Sequence, residues 1–426
     1  MRGILQPVSP AVLSLLALVV ALGLSMTSRI NVGWLALSFA WLIGVYAADL
    51  RPDAVIGGFP VSLFITLSGV TLLFAVAEAN GSLEALANRA MAPARGRARL
   101  IPLLLFAIAC GLSSVGPGAV STVALLAPLA MTMGVRAGLP PLVIALMVAN
   151  GANAGNLSPF SAVGVIANGA MAKIGLGGFE GRVWFANFAA HVLVAGAAYA
   201  AHLWTTRSAP PDDARGAAPI AAHAPMPAAQ RWTLLLIAAW IAGVIALNLH
   251  LGLSAFAAAA IILLTTRSDE SAAVKRMPWS IIMMVCGVSV LIALLEKTGG
   301  MDLFTTLLAR LASPATLNGV IAFVTGGIST YSSTSGVVLP TFLPTAATLV
   351  ERVGGGDPLA VALSINVGSS LVDVSPLSTI GALCVAAAAD AVTGRTLFRA
   401  MLLWGLAMTV VGAVFCALFA PVLAAR

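Results

Sequence analysis

Apolar runs of about 20 residues, the length a bilayer-spanning helix needs, fill most of the chain and are separated by short charged or Pro/Gly-rich breaks. Reading from break to break predicts helices over 11–28, 33–49 and 54–78 and a short amphipathic piece at 82–93. An apolar run over 99–134, interrupted at its middle, follows, then a second interrupted run over 140–170 and a helix over 183–206. The stretch SAPPDDARGAAPIAAHAPMPAAQR, 208–231, is Ala/Pro-rich and too polar to span, and reads as a flexible cytoplasmic linker. Beyond it the pattern gives 232–250, 252–266, 278–297, a short piece 300–312, interrupted runs 316–350 and 357–389, and 394–424.

The two series match element by element, and residue identities recur at a near-constant offset. Glu78 and Gly81 return as Glu296 and Gly299; Ser113, Pro128, Arg136 and Gly138 return as Ser329, Pro344, Arg352 and Gly354. The clearest match sets NLSPFSAVG (156–164) against DVSPLSTIG (373–381), 217 positions on. Residues 1–207 and 232–426 are therefore read as two copies of one unit. With 99–134 and 316–350 taken as re-entrant hairpins, each copy has five spans, about ten in all. An odd number requires the copies to be inverted in the membrane. Placing the loop with Arg89, Arg95, Arg97 and Arg99 in the cytoplasm puts 14 of the 22 basic residues on that side, in keeping with the positive-inside rule. Both termini then fall on the extracytoplasmic side. The apolar run after Arg2 resembles a signal peptide, but its counterpart at 232–250 argues for a retained span.

Composition narrows the class. Only 9% of the 426 residues are charged and 60% are hydrophobic, against roughly 25% charged in a soluble domain. Mean hydropathy is +1.02. This excludes soluble enzymes, nucleic-acid binders and disordered chains, and leaves a multi-pass protein of the inner (plasma) membrane. The net charge of +7 is explained by the cytoplasmic loops and calls for no nucleic-acid partner. Cys110, Cys286, Cys384 and Cys416 lie far apart in apolar runs without CxxC spacing, which fits core fillers. His191, His202, His223 and His250 also lack ligand spacing.

The candidate chemistry lies where the apolar runs break. Non-helical backbone at membrane depth is tolerated only where it lines protein or a cavity. Four breaks occur in two repeat-related pairs: SSVGPGAVST (113–122) with STYSSTSG (329–336), and NGANAGNLSP (150–159) with NVGSSLVDVSP (366–376). Small residues are common as packing in membrane helices, but their recurrence as matched clusters favours function. Serine is a preferred N-cap and proline a preferred first helical residue. Ser158-Pro159 and Ser375-Pro376 are therefore expected to start half-helices in mid-membrane, whose free N–H groups attract an anion. The Asn-, Ser- and Gly-rich segments before them offer oxygens to a monovalent cation. Asp373 stands where the first copy has Asn156; a buried carboxylate calls for a cation or a proton. Paired interrupted helices around a midplane site are typical of inverted-repeat secondary transporters.

The segments GGFPVSLFITLSGVTLLFAVAEANGSLEALA (57–87), GPGAVSTVALLAPLAM and NGANAGNLSPFSAVGVIANG resemble those of the MatC-type dicarboxylate (malonate) carriers, within the wider group that holds the divalent-anion/sodium symporters. The resemblance covers about 30–205 and is looser beyond. It implies an all-α fold with two re-entrant hairpins and two broken helices, moving as an elevator against a scaffold that forms a homodimer. It also implies small dicarboxylate substrates and sodium coupling. The hairpin tips read Ser113-Ser114-Val115-Gly116-Pro117 and Ser332-Ser333-Thr334-Ser335, in place of the Ser-Asn-Thr of the sodium symporters, which leaves Na+ and H+ both open as coupling ion.

The leading expectation is thus a secondary active transporter of malonate- or succinate-like anions, without a cofactor. Substrate would lie against Ser114, Gly116, Pro117 and Gly118 of one tip, Ser332, Ser333 and Thr334 of the other, and Asn153, Ser158, Pro159, Ser370, Ser375 and Pro376 of the interrupted helices. A sodium ion would lie among Ser113, Asn150, Gly155, Asn156, Ser329, Asn366, Ser369 and Asp373. Alternatives are a cation/proton antiporter or oxyanion efflux carrier of the same fold, and the membrane subunit of a binding-protein-dependent carrier. An intramembrane enzyme lacks support, having no histidine pair, Cys/His arrangement or paired acids at helical spacing.

Overall fold

The computed structural model describes residues 9–27, 30–90, 98–116, 118–205, 225–247, 249–330, 333–388 and 390–425. No strand occurs among them. Ahead of the linker lie α1 (Pro10–Thr27), α2 (Val32–Tyr46), α3 (Pro52–Ile56), α4 (Val61–Ala79), α5 (Ser82–Ala90), α6 (Ile101–Val115), α7 (Gly118–Arg136), α8 (Pro141–Gly155), α9 (Ala162–Lys173) and α10 (Glu180–Thr205). After it come α11 (Ala228–Leu247), α12 (Leu251–Thr266), α13 (Glu270–Arg276), α14 (Trp279–Thr298), α15 (Gly300–Ala309), α16 (Leu317–Ser329), α17 (Leu339–Phe342), α18 (Ala346–Val353), α19 (Pro358–Leu371), α20 (Thr379–Ala386) and α21 (Ala391–Ala424).

Three boundaries differ from the sequence reading. The apolar run 54–78 is two helices, because Gly57, Gly58 and Pro60 interrupt it; Pro60 has no N–H to offer a continuing helix. The second arm of the hairpin over 316–350 is not one helix either. A wide π-type turn at Thr334–Val338, α17, a tight turn at Leu343–Thr345 and α18 follow one another, with Pro340 and Pro344 each removing a backbone donor. Helix α11 begins at Ala228, inside the stretch 208–231 read as linker. Helices Val61–Ala79, Gly118–Val135, Glu180–Thr205, Trp279–Thr298 and Val392–Ala424 are long and apolar enough to cross a membrane.

Two groups of helices pack differently. In one, elements exchange partners: α2 lies along α14 and α12 along α4, while α1 meets α15 and α11 meets α5. Glycines set both crossings. A Cβ on Gly33 would stand 2.3 Å from the Met283 carbonyl oxygen, and one on Gly287 2.3 Å from that of Gly33. A Cβ on Gly69 would stand 2.2 Å from the Gly252 oxygen, and one on Gly252 2.4 Å from the Thr66 Cα. Backbones this close admit no side chain, the small-residue packing of membrane helices. In the other group the hairpin α6/α7 packs on α8, α16 packs on α19, and α10 spans α8 and α19. Gly151 and Gly368, at equivalent positions of α8 and α19, press onto Phe106 and Ala322.

Candidate functional site

The chain leaves α8 and α19 through matching tight turns. After α8, Asn156 N–H donates to the Asn153 carbonyl (3.2 Å), Ser158 N–H to Gly155 (3.0 Å) and Ser161 N–H to Ser158 (3.0 Å). After α19, Asp373 N–H donates to Ser370 (3.1 Å), Ser375 N–H to Val372 (2.8 Å) and Ser378 N–H to Ser375 (2.9 Å). Pro159 and Pro376 stand second in the last turn of each series, where a fixed φ favours the bend.

The half-helices therefore do not start at Ser158 and Ser375, as the sequence reading had it. The N-caps are the second serines of each motif: Ser161 Oγ accepts from Gly164 N–H (3.0 Å) and Ser378 Oγ from Gly381 N–H (3.4 Å). Each cap hydroxyl also donates back across the turn, Ser161 to the Asn156 carbonyl and Ser378 to that of Asp373. Ser158 Oγ and Ser375 Oγ instead accept from Phe160 N–H (3.3 Å) and Leu377 N–H (3.4 Å) within the turns. At α9 one further donor, Ala162 N–H, goes to the Gly116 carbonyl at 3.4 Å. The electropositive helix starts are thus partly satisfied by the protein itself.

The first hairpin tip is tied to this turn. Gly118 has φ of +74°, which a side chain rarely adopts, and the adjacent Ala119 N–H donates to Asn156 Oδ1 at 3.0 Å. Gly116 lies flat on Phe74, whose ring would be 1.8 Å from any Cβ there. Gly155 allows α8 to press onto Cys110 and Ser114 of α6. The Ser113 and Thr122 hydroxyls, on either arm of the tip, are buried without a partner among the described residues. Pro117 lies outside the described residues.

At the second tip, Ser333 caps the π-type turn by accepting from Gly336 N–H (3.0 Å). The Thr334 hydroxyl bonds with that of Ser329 and reaches the Ser369 carbonyl at 3.4 Å. The hydroxyls of Ser378 and Thr334 stand beside the Asp373 carboxyl. So where Asn156 receives a backbone N–H from its tip, Asp373 faces the Thr334 hydroxyl of the other, together with that of the α20 cap Ser378. Ser332 lies outside the described residues. Ser369 turns its hydroxyl to the Ile365 carbonyl (2.6 Å).

The two interrupted helices meet at Asn153 and Ser370: the Asn153 amide nitrogen approaches the Ser370 carbonyl oxygen at 3.5 Å. Asn366, one turn earlier on α19, donates to the Ala362 carbonyl (2.8 Å), leaving its oxygen without a described partner. Asn150 uses both ends of its amide, donating to the Leu146 carbonyl (2.9 Å) and pairing with His191 Nδ1 (3.0 Å). Two residues not singled out as site residues, Asn187 and His191 of α10, join this row, Asn187 donating to the Asn153 carbonyl at 2.6 Å. Their spacing of four within an apolar helix, on one face, is the signal in the sequence. A cavity of about 520 Å³ lies beside α4, α9 and α14, reached by Lys173 and Glu296, and none of the predicted site residues lines it.

Known membrane transporters share this fold. The fold is that of the YdaH transporter of Alcanivorax borkumensis, at 15% identity and a TM-score of 0.56, covering 97% of this chain and 98% of that one. It is likewise that of MtrF of Neisseria gonorrhoeae, from a class of antimetabolite efflux pumps, at 15% identity and a TM-score of 0.59, covering 98% and 96%. Residues 8–156 match the N-terminal region of the dicarboxylate carrier protein MatC, a family of carriers and not of enzymes. The resemblance read from the sequence is borne out over those residues. No curated protein sequence matches the chain.

Proposed function

We propose that the protein is a secondary active transporter of small dicarboxylates of malonate or succinate size, driven by a sodium or proton gradient. The observation that carries this reading is the meeting of two repeat-related interrupted helices at Asn153 and Ser370, in a chain whose residues 8–156 match a dicarboxylate carrier. Substrate carboxylates would be held at the hairpin tips, with the buried Ser113 and Thr122 hydroxyls and tip N–H groups as donors. An unpaired buried polar group costs about 1–3 kcal/mol, so a ligand that engages these hydroxyls recovers that cost.

The partner-exchanged helices α1–α5 and α11–α15 would form the scaffold, as a homodimer in the inner membrane. The hairpins and interrupted helices would move against it as an elevator, about ten spans in all, with both termini extracytoplasmic. Asp373, a carboxylate 8% exposed and faced by hydroxyls, favours one second reading, in which the same carrier exchanges a proton there during antiport. The test is uptake of labelled malonate and succinate into proteoliposomes under an imposed sodium or proton gradient. Gradient-driven uptake that unlabelled dicarboxylates inhibit supports the proposal; its absence, with the protein correctly inserted, overturns it.

A further inference from the structure

On α8, α10 and α19 the hydrogen bonds decide which end of each amide is left over. Asn153 Nδ2 is directed at the Ser370 carbonyl and Asn187 Nδ2 at the Asn153 carbonyl. A backbone carbonyl can only accept, so in both residues the nitrogen end is the bound one and Oδ1 is the free end. Neither oxygen has a hydrogen-bond partner among the described residues, and both residues are 0% exposed. Ser370 Oγ, 1% exposed, is in the same position beside the carbonyl that Asn153 approaches.

One turn along the same faces, the logic repeats. Asn150 Nδ2 donates to the Leu146 carbonyl, so its Oδ1 is the acceptor for His191 Nδ1, which must carry the proton. This pair fixes α10 against α8 next to Asn187. It acts as a positioning contact.

An anion needs donors, and the amide oxygens of Asn153 and Asn187 are acceptors only. Buried acceptors of this kind are matched by a cation, and neutral carbonyl oxygens with a hydroxyl suit hard ions. We infer that Asn153 Oδ1, Asn187 Oδ1 and Ser370 Oγ form a binding site for sodium at the seam of α8, α10 and α19. Asn153 and Ser370 then serve the coupling ion in place of the substrate, and α10, outside both hairpins and both interrupted helices, supplies a ligand. The link to coupling rests on the transport function proposed above; sodium binding itself does not.

The experiment is thermal unfolding of the purified full chain in lipid nanodiscs, titrated with NaCl, KCl or choline chloride at constant ionic strength and at two pH values, without any dicarboxylate. Wild type is expected to gain a saturable, sodium-selective rise in Tm. In Asn187→Leu the half-saturating sodium concentration should rise about tenfold or more, whereas Asn187→Asp, which keeps an oxygen, should retain the response. Should Asn187→Leu fail to fold, Ser370→Ala, which removes one hydroxyl and leaves the backbone carbonyl, must weaken sodium binding. An unchanged sodium response in these variants, no sodium response in wild type, or stabilisation that follows pH alone overturns the inference. A separate titration with malonate keeps the two claims apart. Malonate binding without a sodium effect sinks only the ion site, and a sodium effect without dicarboxylate binding or uptake sinks only the substrate reading.

Discussion

Asn153 and Ser370 occupy equivalent positions in NGANAGNLSP and NVGSSLVDVSP, 217 residues apart, and they touch, the Asn153 amide nitrogen reaching the Ser370 carbonyl at 3.5 Å. If the two halves are inverted copies, as proposed above, this contact lies close to the axis that relates them. Midplane sites at a repeat interface have this form. Replacing Asn153 with leucine removes the amide that joins the two helices and leaves the Ser370 carbonyl without that donor, while Asn187 keeps its bond to the backbone carbonyl of residue 153. Gradient-driven dicarboxylate uptake by Asn153→Leu is expected to fall to background while the protein still elutes as a single species.

The exchange of partners between α2 and α14 and between α12 and α4 depends on four glycines. Substituting Ala at Gly33, Gly287, Gly69 or Gly252 places a Cβ within 2.2–2.4 Å of backbone atoms of the facing helix. Overpacking of this kind costs about 1–3 kcal/mol. Each variant should lower Tm and yield of folded protein, and Gly23→Ala, with no atom within 4 Å of the added Cβ, should not. Size-exclusion profiles of the five variants decide the matter.

The N-cap assignments separate two serines that the sequence alone treats alike. Ser161→Ala and Ser378→Ala each remove a helix cap worth about 1 kcal/mol, together with a bond across the turn. Ser158→Ala and Ser375→Ala remove only a hydroxyl bond inside a turn and should lower Tm less. Equal losses in all four would contradict the structural assignment.

Asp390 caps α21, accepting from Val392 N–H (2.8 Å) and Thr393 N–H (3.0 Å), with Thr393 Oγ1 donating at 2.7 Å. The Thr393 backbone and side-chain bonds first, then that of Val392, hold its carboxyl below the usual carboxylate range. A folded-state pKa depressed in this way contributes stability above the unfolded value, and that stability is lost as pH falls through the folded one. The Tm difference between wild type and Asp390→Ala should therefore be full near neutrality and shrink on acidification.

Asp373→Asn converts the second copy to the residue of the first at Asn156. It keeps volume and removes the charge. The variant should fold and still bind detergent-stable in monodisperse form, yet lose uptake driven by the cation gradient. Uptake with wild-type gradient dependence would remove Asp373 from coupling.

Much of this was legible in the chain because a helix that crosses a bilayer needs a long apolar run, so each break stands out. The pairing of NLSPFSAVG with DVSPLSTIG marks the two turns in the sequence itself. The starts of the half-helices were misplaced because Ser-Pro-x-Ser satisfies both a cap at the first serine and a proline-led turn ending at the second. The turn prevails in the fold, with Gly164 and Gly381 packed so closely that a Cβ would stand 1.8 and 2.1 Å from the Ser158 and Ser375 carbonyl oxygens. Asn187 and His191 are not marked as site residues by the sequence for the opposite reason: they sit in an unbroken helix, where no break in the apolar run sets them apart. The glycine crossings were hidden because one small residue in an apolar run looks like any other until its partner helix is known.

The most direct measurement is an experimental structure of the chain in nanodiscs with malonate and sodium. Density for the dicarboxylate is expected against the hairpin tips, beside Ser113 and Thr334. Density only in the cavity beside Lys173 and Glu296, or none near either tip, would contradict the proposal.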